Sequence, residues 1–358
     1  MKKSPGLTIF AGILGLILSA PAIAQPSISG ISGTLAHGST FRIAGTGFGK
    51  KDPAQPLVWA DFEAGLQPTP LGLRTRWDIL GGFVHSASCP GVAVGTYCAA
   101  AAENAPSGAW GISVNYPSWN AVGQKSYIYR LARKNFLVTN HSQNWKTWRL
   151  WAFGTRWPDI YVAEGHGRVY TETSAPVVED TGYWANLSTE TTDWVAEEYI
   201  FRGSSVDRKD GLLAVRYNGR DVASGSVTTR FSYPAETDMT ENWVVHFIYA
   251  NLEAWNPAWQ TSNRVWVDDV YVDTAWSRVM VGNAPTYSDC TALVPQIPSQ
   301  WSDSQIVAVF HRGRFVAGER VYLYVVDSEG RTSQGLPLVV PGGDGVAPSA
   351  PTRLRMAR

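Results

Sequence analysis

The sequence predicts an all-β protein in which one domain is inserted into another. Two observations predict this: short aromatic and β-branched segments alternate with turn formers, and a motif near the start has its continuation near the end. The 358 residues include 34 Gly, 21 Pro and 16 Trp, which is typical of many short strands joined by turns. Helical periodicity is almost absent. We therefore expect very little helix.

Predicted strands recur along the whole chain. Asn218-Gly219 follows one of them directly and predicts a tight hairpin, because both residues tolerate positive φ. The predicted strands cover residues 41–44, 57–62, 111–114, 126–131, 147–153, 159–162, 194–201, 212–217, 243–249, 265–272, 306–310 and 321–326.

The divided motif begins with residues 26–31 (PSISGI) and 37–49 (HGSTFRIAGTGFG), and it continues only with residues 301–307 (WSDSQIV) and 322–326 (YLYVV). The two halves together resemble an IPT/TIG domain, a small immunoglobulin-like sandwich. The resemblance implies that residues 25–56 and 285–340 form one domain. A second domain of ordinary size would then lie between them.

The predicted guest domain, residues 57–284, opens with residues 59–65 (WADFEAG) and closes with residues 266–273 (WVDDVYVD). These ends look like those of the concanavalin-like jelly rolls found in laminin-G-type domains, carbohydrate-binding modules and several polysaccharide lyases. The resemblance implies a jelly-roll sandwich inserted into the immunoglobulin-like one, with neighbouring ends that suit insertion. The Gly- and Pro-rich residues 341–358 are expected to form a flexible tail.

The first 24 residues have the pattern of a secretory signal peptide. Lys2 and Lys3 precede an apolar run, and small residues up to Ala24 fit a cleavage site. The run is too short for a membrane span, and no other stretch reaches about 18 apolar residues. We therefore expect secretion to the periplasm or the exterior, without membrane insertion.

The formal charge argues against a nucleic-acid partner. Thirty Lys and Arg residues balance thirty Asp and Glu residues, and removal of Lys2 and Lys3 leaves the mature chain slightly acidic. A nucleic-acid-binding protein would normally present a basic face.

The chain has three cysteines, an odd number for an oxidising compartment. Cys89 and Cys98 enclose a short loop that contains Pro and Gly, which favours a disulfide between them and leaves Cys290 free. Three reduced, buried thiols are the alternative. A zinc site is not expected, since no CxxC spacing occurs.

The Trp-rich residues 144–151 are the densest candidate for ligand binding. On a strand, Trp145, Arg149 and Trp151 share one face, and Trp148 lies on the other. A guanidinium between two indoles suits an acidic sugar, because rings stack on the apolar face of a pyranose and Arg binds a carboxylate through two hydrogen bonds. The alternative is that these tryptophans only fill the core.

Other strands supply further candidates, for which structural roles are the alternative. A polysaccharide lyase needs a base, usually Tyr or His, and a cation that holds the uronate carboxylate as its charge grows. The candidates for the base are His246, Tyr127 and Tyr129, those for the cation are Arg130 and Arg149, and Trp194, Glu198 and Trp243 complete the predicted sugar-binding set.

Two hydrolase classes are disfavoured. Glu197 and Glu198 are consecutive, so they point to opposite faces of a strand and cannot form the facing carboxylate pair of a glycosidase. The Gly-x-Ser-x-Gly motif of an esterase is also absent from the sequence.

Carboxylates on the two strands expected to be adjacent form the best metal candidate. In the carbohydrate-binding jelly rolls that this chain resembles, a structural Ca²⁺ often lies where the first and last strands meet. Solvated acids at the sheet edge are the alternative. The candidate ligands are Asp61, Glu63, Asp268, Asp269 and Asp273.

Together these patterns favour a secreted polysaccharide-binding protein that uses an aromatic and Arg-bearing face of a jelly-roll domain, with acidic glycans as ligands. A polysaccharide lyase that acts by β-elimination on a uronate polymer is one alternative, and a structural or adhesive surface protein is another. Because one sandwich fold supports many functions, the fold alone does not decide between them.

Overall fold

The computed structural model describes residues 25–65, 69–70, 76–79, 83–90, 95–101, 112–116, 123–136, 146–152, 158–163, 168–173, 178–184, 193–228, 243–246 and 263–342. Within these ranges nearly every element is a strand, and a short 3₁₀ turn, Tyr287–Asp289, is the helical element found there. This confirms the predicted all-β fold. The strands are β1 Ser27–Gly33, β2 Thr40–Thr46, β3 Val58–Ala60, β4 Thr69–Pro70, β5 Arg76–Ile79, β6 Phe83–Ser86, β7 Cys98–Ala101, β8 Ile112–Tyr116, β9 Lys125–Phe136, β10 Lys146–Ala152, β11 Pro158–Ala163, β12 Arg168–Thr173, β13 Val178–Trp184, β14 Val195–Arg202, β15 Gly211–Tyr217, β16 Arg220–Val227, β17 Trp243–His246, β18 Asn263–Asp273, β19 Arg278–Gly282, β20 Leu293–Trp301, β21 Gln305–Val309, β22 Arg320–Val326 and β23 Leu336–Val339.

Strands from the two ends of the described chain share one sheet, which we call the terminal sheet. Its order is β1-β2-β21-β20-β19-β22-β23, and Thr40 of β2 lies opposite Val309 of β21. β1 also approaches β22, so the sheet curls around a core of its own and forms what we call the terminal sandwich. Phe41, Ile43 and Leu323 are among the buried residues of that core. The chain therefore leaves this sheet after β2 and returns to it at β19.

Both halves of the divided motif lie in the terminal sheet, because residues 27–46 and 305–326 pair within it. The sheet also contains β19, Arg278–Gly282, although the predicted jelly-roll range extends to residue 284. Assignment of this part of the chain to the IPT/TIG family stays a prediction.

The chain between β2 and β19 forms two further antiparallel sheets. The front sheet has the order β13-β12-β11-β10-β17-β8-β5, and the middle sheet has the order β16-β15-β14-β9-β18-β3-β4, with β7 pairing with β18 and β6 pairing with β7. These two sheets form a jelly-roll-type sandwich, as predicted.

A two-residue hairpin joins β15 to β16 at the edge of the middle sheet. Asn218 has a φ of 51° and Gly219 a φ of 77°, and Tyr217 pairs directly with Arg220. This is the hairpin that the Asn-Gly pair predicts. A Cβ atom at Gly219 would lie 3.0 Å from the carbonyl oxygen of Tyr287, so this turn packs closely against the terminal sandwich.

Both faces of the middle sheet are covered. On one face, Tyr127 packs in a buried cluster with Met280 and Tyr324 of the terminal sheet. On the opposite face, Phe201 and Val215 are fully buried as well. Each such side chain contributes about 1.5–3 kcal/mol when it is removed from water. The middle sheet is therefore the shared layer between the two sandwiches.

Candidate functional site

The front sheet brings Arg149 and His246 together in one register row. Arg149 of β10 pairs with His246 of β17 on one side and with Tyr161 of β11 on the other. Tyr161 in turn pairs with Tyr170 of β12, and His246 pairs with Ser113 of β8. Directly paired residues of an antiparallel sheet lie on the same face. We call these five residues the Arg149 row.

A second row lies two residues along the same strands. Trp151 of β10 pairs with Asp159 of β11 and with Val244 of β17, so it belongs to the same face as the Arg149 row. Trp243 pairs with Ala152 instead. The register therefore places Trp243 on the face opposite to Arg149, and its role in sugar binding stays a prediction. Trp145 lies outside the described residues.

The two tyrosines predicted as possible bases are enclosed at the junction between the middle and terminal sheets. Both are fully buried. The hydroxyl of Tyr127 donates to Glu198 Oε1 at 2.8 Å, and that of Tyr129 donates to the Leu293 carbonyl oxygen at 2.5 Å. Burial raises the pKa of each hydroxyl well above its usual value. Neither hydroxyl is placed to act as a base on a polymer, because it is closed off from solvent and held in a protein contact.

Arg130 lies inside the jelly-roll sandwich, on the opposite face of β9. Only 2% of it is exposed. Its Nε donates to Glu197 Oε2 at 2.7 Å, and its Nη2 donates to the Tyr199 hydroxyl at 2.8 Å. The guanidinium therefore neutralises a buried carboxylate of the protein and is not positioned for the carboxylate of a substrate.

Trp194 and Glu198 are also buried, which corrects their predicted place on a sugar-binding surface. The indole Nε1 of Trp194 donates to the Pro90 carbonyl oxygen at 2.6 Å. Glu198 Oε1 accepts hydrogen bonds from Tyr287 Oη at 2.7 Å and from Arg278 Nη2 at 3.3 Å, in addition to the Tyr127 hydroxyl. These two side chains hold segments of the protein together.

The sulfur atoms of Cys89 and Cys98 form a disulfide. Cys290 is free and buried. The disulfide loop is attached to the middle sheet, because the Pro90 carbonyl oxygen accepts hydrogen bonds from Arg133 as well as from Trp194.

Separate protein groups contact the carboxylates predicted as calcium ligands. Asp273 Oδ2 lies 2.8 Å from the Lys51 ammonium, and Asp269 Oδ1 lies 2.9 Å from His311 Nε2. The carboxylate of Glu63 accepts hydrogen bonds from two backbone amides, of residues 96 and 97. Within the ranges given above, no group of three or more His, Cys, Asp or Glu is arranged to hold a metal ion.

The remaining two carboxylates, those of Asp61 and Asp268, accept hydrogen bonds from nearby backbone amides. Burial, and then the neighbouring charge of Asp269, raise the pKa of Asp268 well above its usual value. The calcium site that the jelly-roll resemblance implies stays a prediction.

Sequence reasoning missed several residues that the fold brings together. Tyr161, Tyr170 and Ser113 join the Arg149 row only through strand register, and Lys51 and His311 meet their carboxylates across more than forty residues of sequence. No local pattern marks any of them.

The sequence matches no protein-family model and no curated protein. Among solved structures, domain 4 of AbnA, a GH43 extracellular arabinanase from Geobacillus stearothermophilus, is 13% identical with a TM-score of 0.35, and the match covers 61% of this chain and 92% of that one. The alginate lyase Aly36B is 14% identical with a TM-score of 0.33, covering 50% and 80%. The binding domain of botulinum neurotoxin serotype D is 13% identical with a TM-score of 0.38, covering 76% and 70%. Similarity this low carries no inference about substrate or activity.

In the described part of the chain, no helix has the length and apolar character needed to cross a membrane.

Proposed function

We propose that this protein is a secreted polysaccharide-binding protein and that acidic glycans bind the front-sheet face that contains the Arg149 row. The observation that carries the proposal is the register that aligns Arg149 with His246 and Tyr161 and places Trp151 two residues away. The signal-peptide pattern of the first 24 residues supports export.

The residue types on the two faces of the front sheet support an outward position for this row. A strand with one buried face has its apolar residues on the core side. The register groups Trp77, Val114, Val245, Trp148, Leu150, Ile160, Val162 and Thr171 on one face, and Asp78, Ser113, Asn115, Val244, His246, Arg149, Trp151, Asp159, Tyr161, Tyr170 and Glu172 on the other.

Among the residues that the structure describes, neither broad face of the middle sheet is open to a polymer. One of its faces is closed by the terminal sheet, through the buried cluster around Tyr127 and Tyr324. The other face is buried too, and it contains the Arg130–Glu197 ion pair. A polymer needs an open face, so the front sheet is the better candidate within the jelly roll.

The chemistry of the polar face suits a uronate. Arg binds a carboxylate through two parallel, charge-assisted hydrogen bonds, which gives orientation as well as affinity. Indole and phenol rings stack on the apolar face of a pyranose while their polar atoms bind its hydroxyl groups. Arg149, Trp151 and Tyr161 supply these groups on adjacent strands.

The test compares acidic and neutral oligosaccharides by titration calorimetry. Arg149→Ala should weaken binding of oligogalacturonate about tenfold and leave neutral oligosaccharides unchanged, because a carboxylate contact is lost and stacking remains. Trp151→Ala should weaken binding of both. The matched control is Arg208→Ala, which removes an exposed arginine of the middle-sheet side.

Stability measurements complete this test. Trp148 belongs to the apolar set, so Trp148→Ala should cost about 3–5 kcal/mol in unfolding free energy, whereas Trp151→Ala should cost much less. Equal destabilisation by the two changes, together with no glycan affinity in the wild type on a glycan array, would leave the structural or adhesive role as the better account.

A second candidate function, β-elimination on a uronate polymer, is favoured by the direct pairing of Arg149 with His246. In this reaction a base removes the proton beside the carboxylate, a carbon–carbon double bond forms, and the bond to the leaving oxygen breaks and that oxygen takes a proton. His246 would serve as the base, and Arg149 would stabilise the growing charge.

The absorbance of the unsaturated product tests this second function. We expect the wild type to generate it from polygalacturonate or alginate, and His246→Ala to abolish turnover while oligosaccharide affinity changes little. An absorbance that never rises, with affinity intact, would leave binding as the function.

A further inference from the structure

A polar groove lies between the β15–β16 hairpin and the terminal sandwich, away from the front sheet. Its volume is about 890 Å³. Arg216, Arg220 and Asp221 line it on the hairpin side. Tyr287 and Thr332 are among the residues that line it on the terminal side. The two walls therefore belong to two different sandwiches, a position where ligand sites are common.

The charges in this groove are unbalanced. Arg216 Nε donates to Asp221 Oδ1 at 2.6 Å, which matches one cation with one anion. Arg220 is exposed and forms no side-chain hydrogen bond or ion pair with any residue that the structure describes. The charged residues of the lining are these three. The groove thus has one excess guanidinium that is free to bind an anionic group.

The walls of the groove are fixed in position. The hairpin contacts the terminal sandwich at Gly219, where a Cβ atom would lie only 3.0 Å from the Tyr287 carbonyl oxygen. The Tyr287 hydroxyl donates to the buried Glu198, and Arg278 donates to the same carboxylate oxygen. A site formed before the ligand arrives loses less conformational entropy on binding.

We propose that this groove binds a carboxylate-bearing saccharide, with Arg220 on the carboxylate. Its volume lies in the range of small-molecule sites, and it is far larger than an inorganic anion requires. Hydroxyl and amide side chains suited to sugar hydroxyl groups line the remainder, including those of Thr286, Ser288, Thr332 and Gln334. This site is separate from the Arg149 row, so it does not depend on the proposed function.

Hydrogen–deuterium exchange on the full chain tests the proposal, with trigalacturonate and trimannuronate as probes. We expect ligand to slow amide exchange in residues 286–288 and 332–335. Arg220→Gln should weaken this binding about tenfold, because a charge-assisted contact is lost. Arg208→Gln, at an exposed arginine that does not line the groove, should change nothing. Asp221→Asn should strengthen binding several-fold, since it releases Arg216 from its partner.

Two comparison ligands test whether the groove recognises the carboxylate, the sugar or both. Maltotriose, which has no carboxylate, should give no protection, and sodium sulfate should give much less than the uronates at equal concentration. Equal protection by sulfate would make the groove a simple anion site, and equal protection by maltotriose would remove the role of Arg220. Either result overturns the proposal.

The same experiment separates this proposal from the proposed function. Groove protection should persist in Arg149→Ala, since that residue lies on another sheet. Protection that appears only in front-sheet peptides and disappears in Arg149→Ala would overturn the groove and support the front-sheet face. No protection in residues 286–288 and 332–335 by either uronate would overturn the groove outright.

Discussion

The two consecutive glutamates of β14 lie in different parts of the molecule, and each is buried against an arginine. Glu197 lies inside the jelly-roll sandwich, where Arg130 Nε and Nη2 approach its Oε2 at 2.7 and 2.5 Å. Glu198 lies at the junction with the terminal sheet, where Arg278 Nη2 is 3.3 Å from its Oε1. The interior pair is the tighter of the two.

The two ion pairs also differ in how completely their polar atoms are hydrogen-bonded. Three donors converge on one oxygen of Glu198, whereas its Oε2 and the Nε of Arg278 have no hydrogen-bond partner among the described residues. A buried polar atom without a partner costs about 1–3 kcal/mol. Both residues of the interior pair belong to the jelly-roll sandwich. The junction pair joins residues of the two sandwiches, and it leaves two buried polar atoms without a hydrogen-bond partner among the described residues.

The largest effect is expected at the interior pair. Arg130→Met should lower the free energy of unfolding by about 3–5 kcal/mol, because it leaves Glu197 charged and buried without its cation. Urea denaturation measures this change. The double variant Arg130→Met with Glu197→Leu should regain most of the loss. If the double variant is no more stable than Arg130→Met, the cost comes from packing rather than charge, and the electrostatic account fails.

A second buried cation, Lys51, contacts both chain segments that connect the terminal sandwich to the jelly roll. The Lys51 ammonium contacts Asp273 at 2.8 Å and the carbonyl oxygens of residues 53, 54 and 55. Lys51→Met should cost about 3 kcal/mol, since Asp273 then stays buried with only the hydrogen bonds from Tyr271 and Thr274.

Urea denaturation and hydrogen exchange in residues 50–57 and 273–277 both report on the Lys51 change. Exchange should rise in these two segments more than in β9 or β14. The neutral double variant with Asp273→Asn is the control, and it should be more stable than Lys51→Met. Uniform loss of protection over the whole chain would contradict a local fastening role.

The junction pair should respond less than either of these. Arg278→Met should cost about 2 kcal/mol, because Glu198 keeps the two tyrosine hydroxyls and the unpartnered Arg278 Nε is removed at the same time. Adding Glu198→Gln should restore part of the loss. If Arg278→Met lowers the free energy of unfolding as much as Arg130→Met does, the junction pair stabilises the protein as much as the interior pair. The proposed difference between the two pairs would then be wrong.

Local sequence patterns predict the strands and the hairpin well, and they predict less of the site. Asn218-Gly219 indicates its turn because the required φ values depend on those two residues alone. The strand period also predicts that Glu197 and Glu198 point to opposite faces. That the Glu198 face is buried as well depends on how the terminal sandwich packs, because residues 278–326 cover that face.

The same reasoning explains why Tyr127 and Tyr129 are predicted as accessible bases although the structure buries them. Their alternation marks one face of β9, but nothing nearby in the sequence shows that Leu293 and Tyr287 will close over that face. The pairing of Arg149 with His246 is accessible only through register, which depends on turns far from either residue.

The smallest effect is expected beside the contact of His311 with Asp269 of β18, where the rings of His37 and His311 lie 5.1 Å apart. Burial, and then the charge on His311, lower the pKa of His37 to about 4. Burial also opposes the charge on His311, but Asp269 outweighs it and raises the pKa of His311. The two histidines therefore respond to pH with opposite signs.

The sign for each histidine follows from proton linkage. An unfolded histidine titrates near 6.5, so between that pH and about 4 folded His37 holds fewer protons than the unfolded chain, and its stabilising contribution is lost as pH falls through this window. His311 contributes stability below about 6.5 and loses it as pH rises through its raised pKa.

His37→Asn isolates the first of these effects. The Arg312 amide donates to His37 Nδ1 at 3.2 Å, and the Asn side-chain oxygen should accept the same hydrogen bond without titrating. Asp61, Asp269 and His311 are common to both proteins, so the difference between wild type and variant reports His37. Between pH 6.5 and 4.5 the variant should lose less unfolding free energy than the wild type. The difference should be under about 1 kcal/mol, because His37 is only half-buried and solvent screens its charge. Urea denaturation midpoints at the two pH values measure this difference. If both proteins lose the same unfolding free energy between the two pH values, His37 does not titrate in this window.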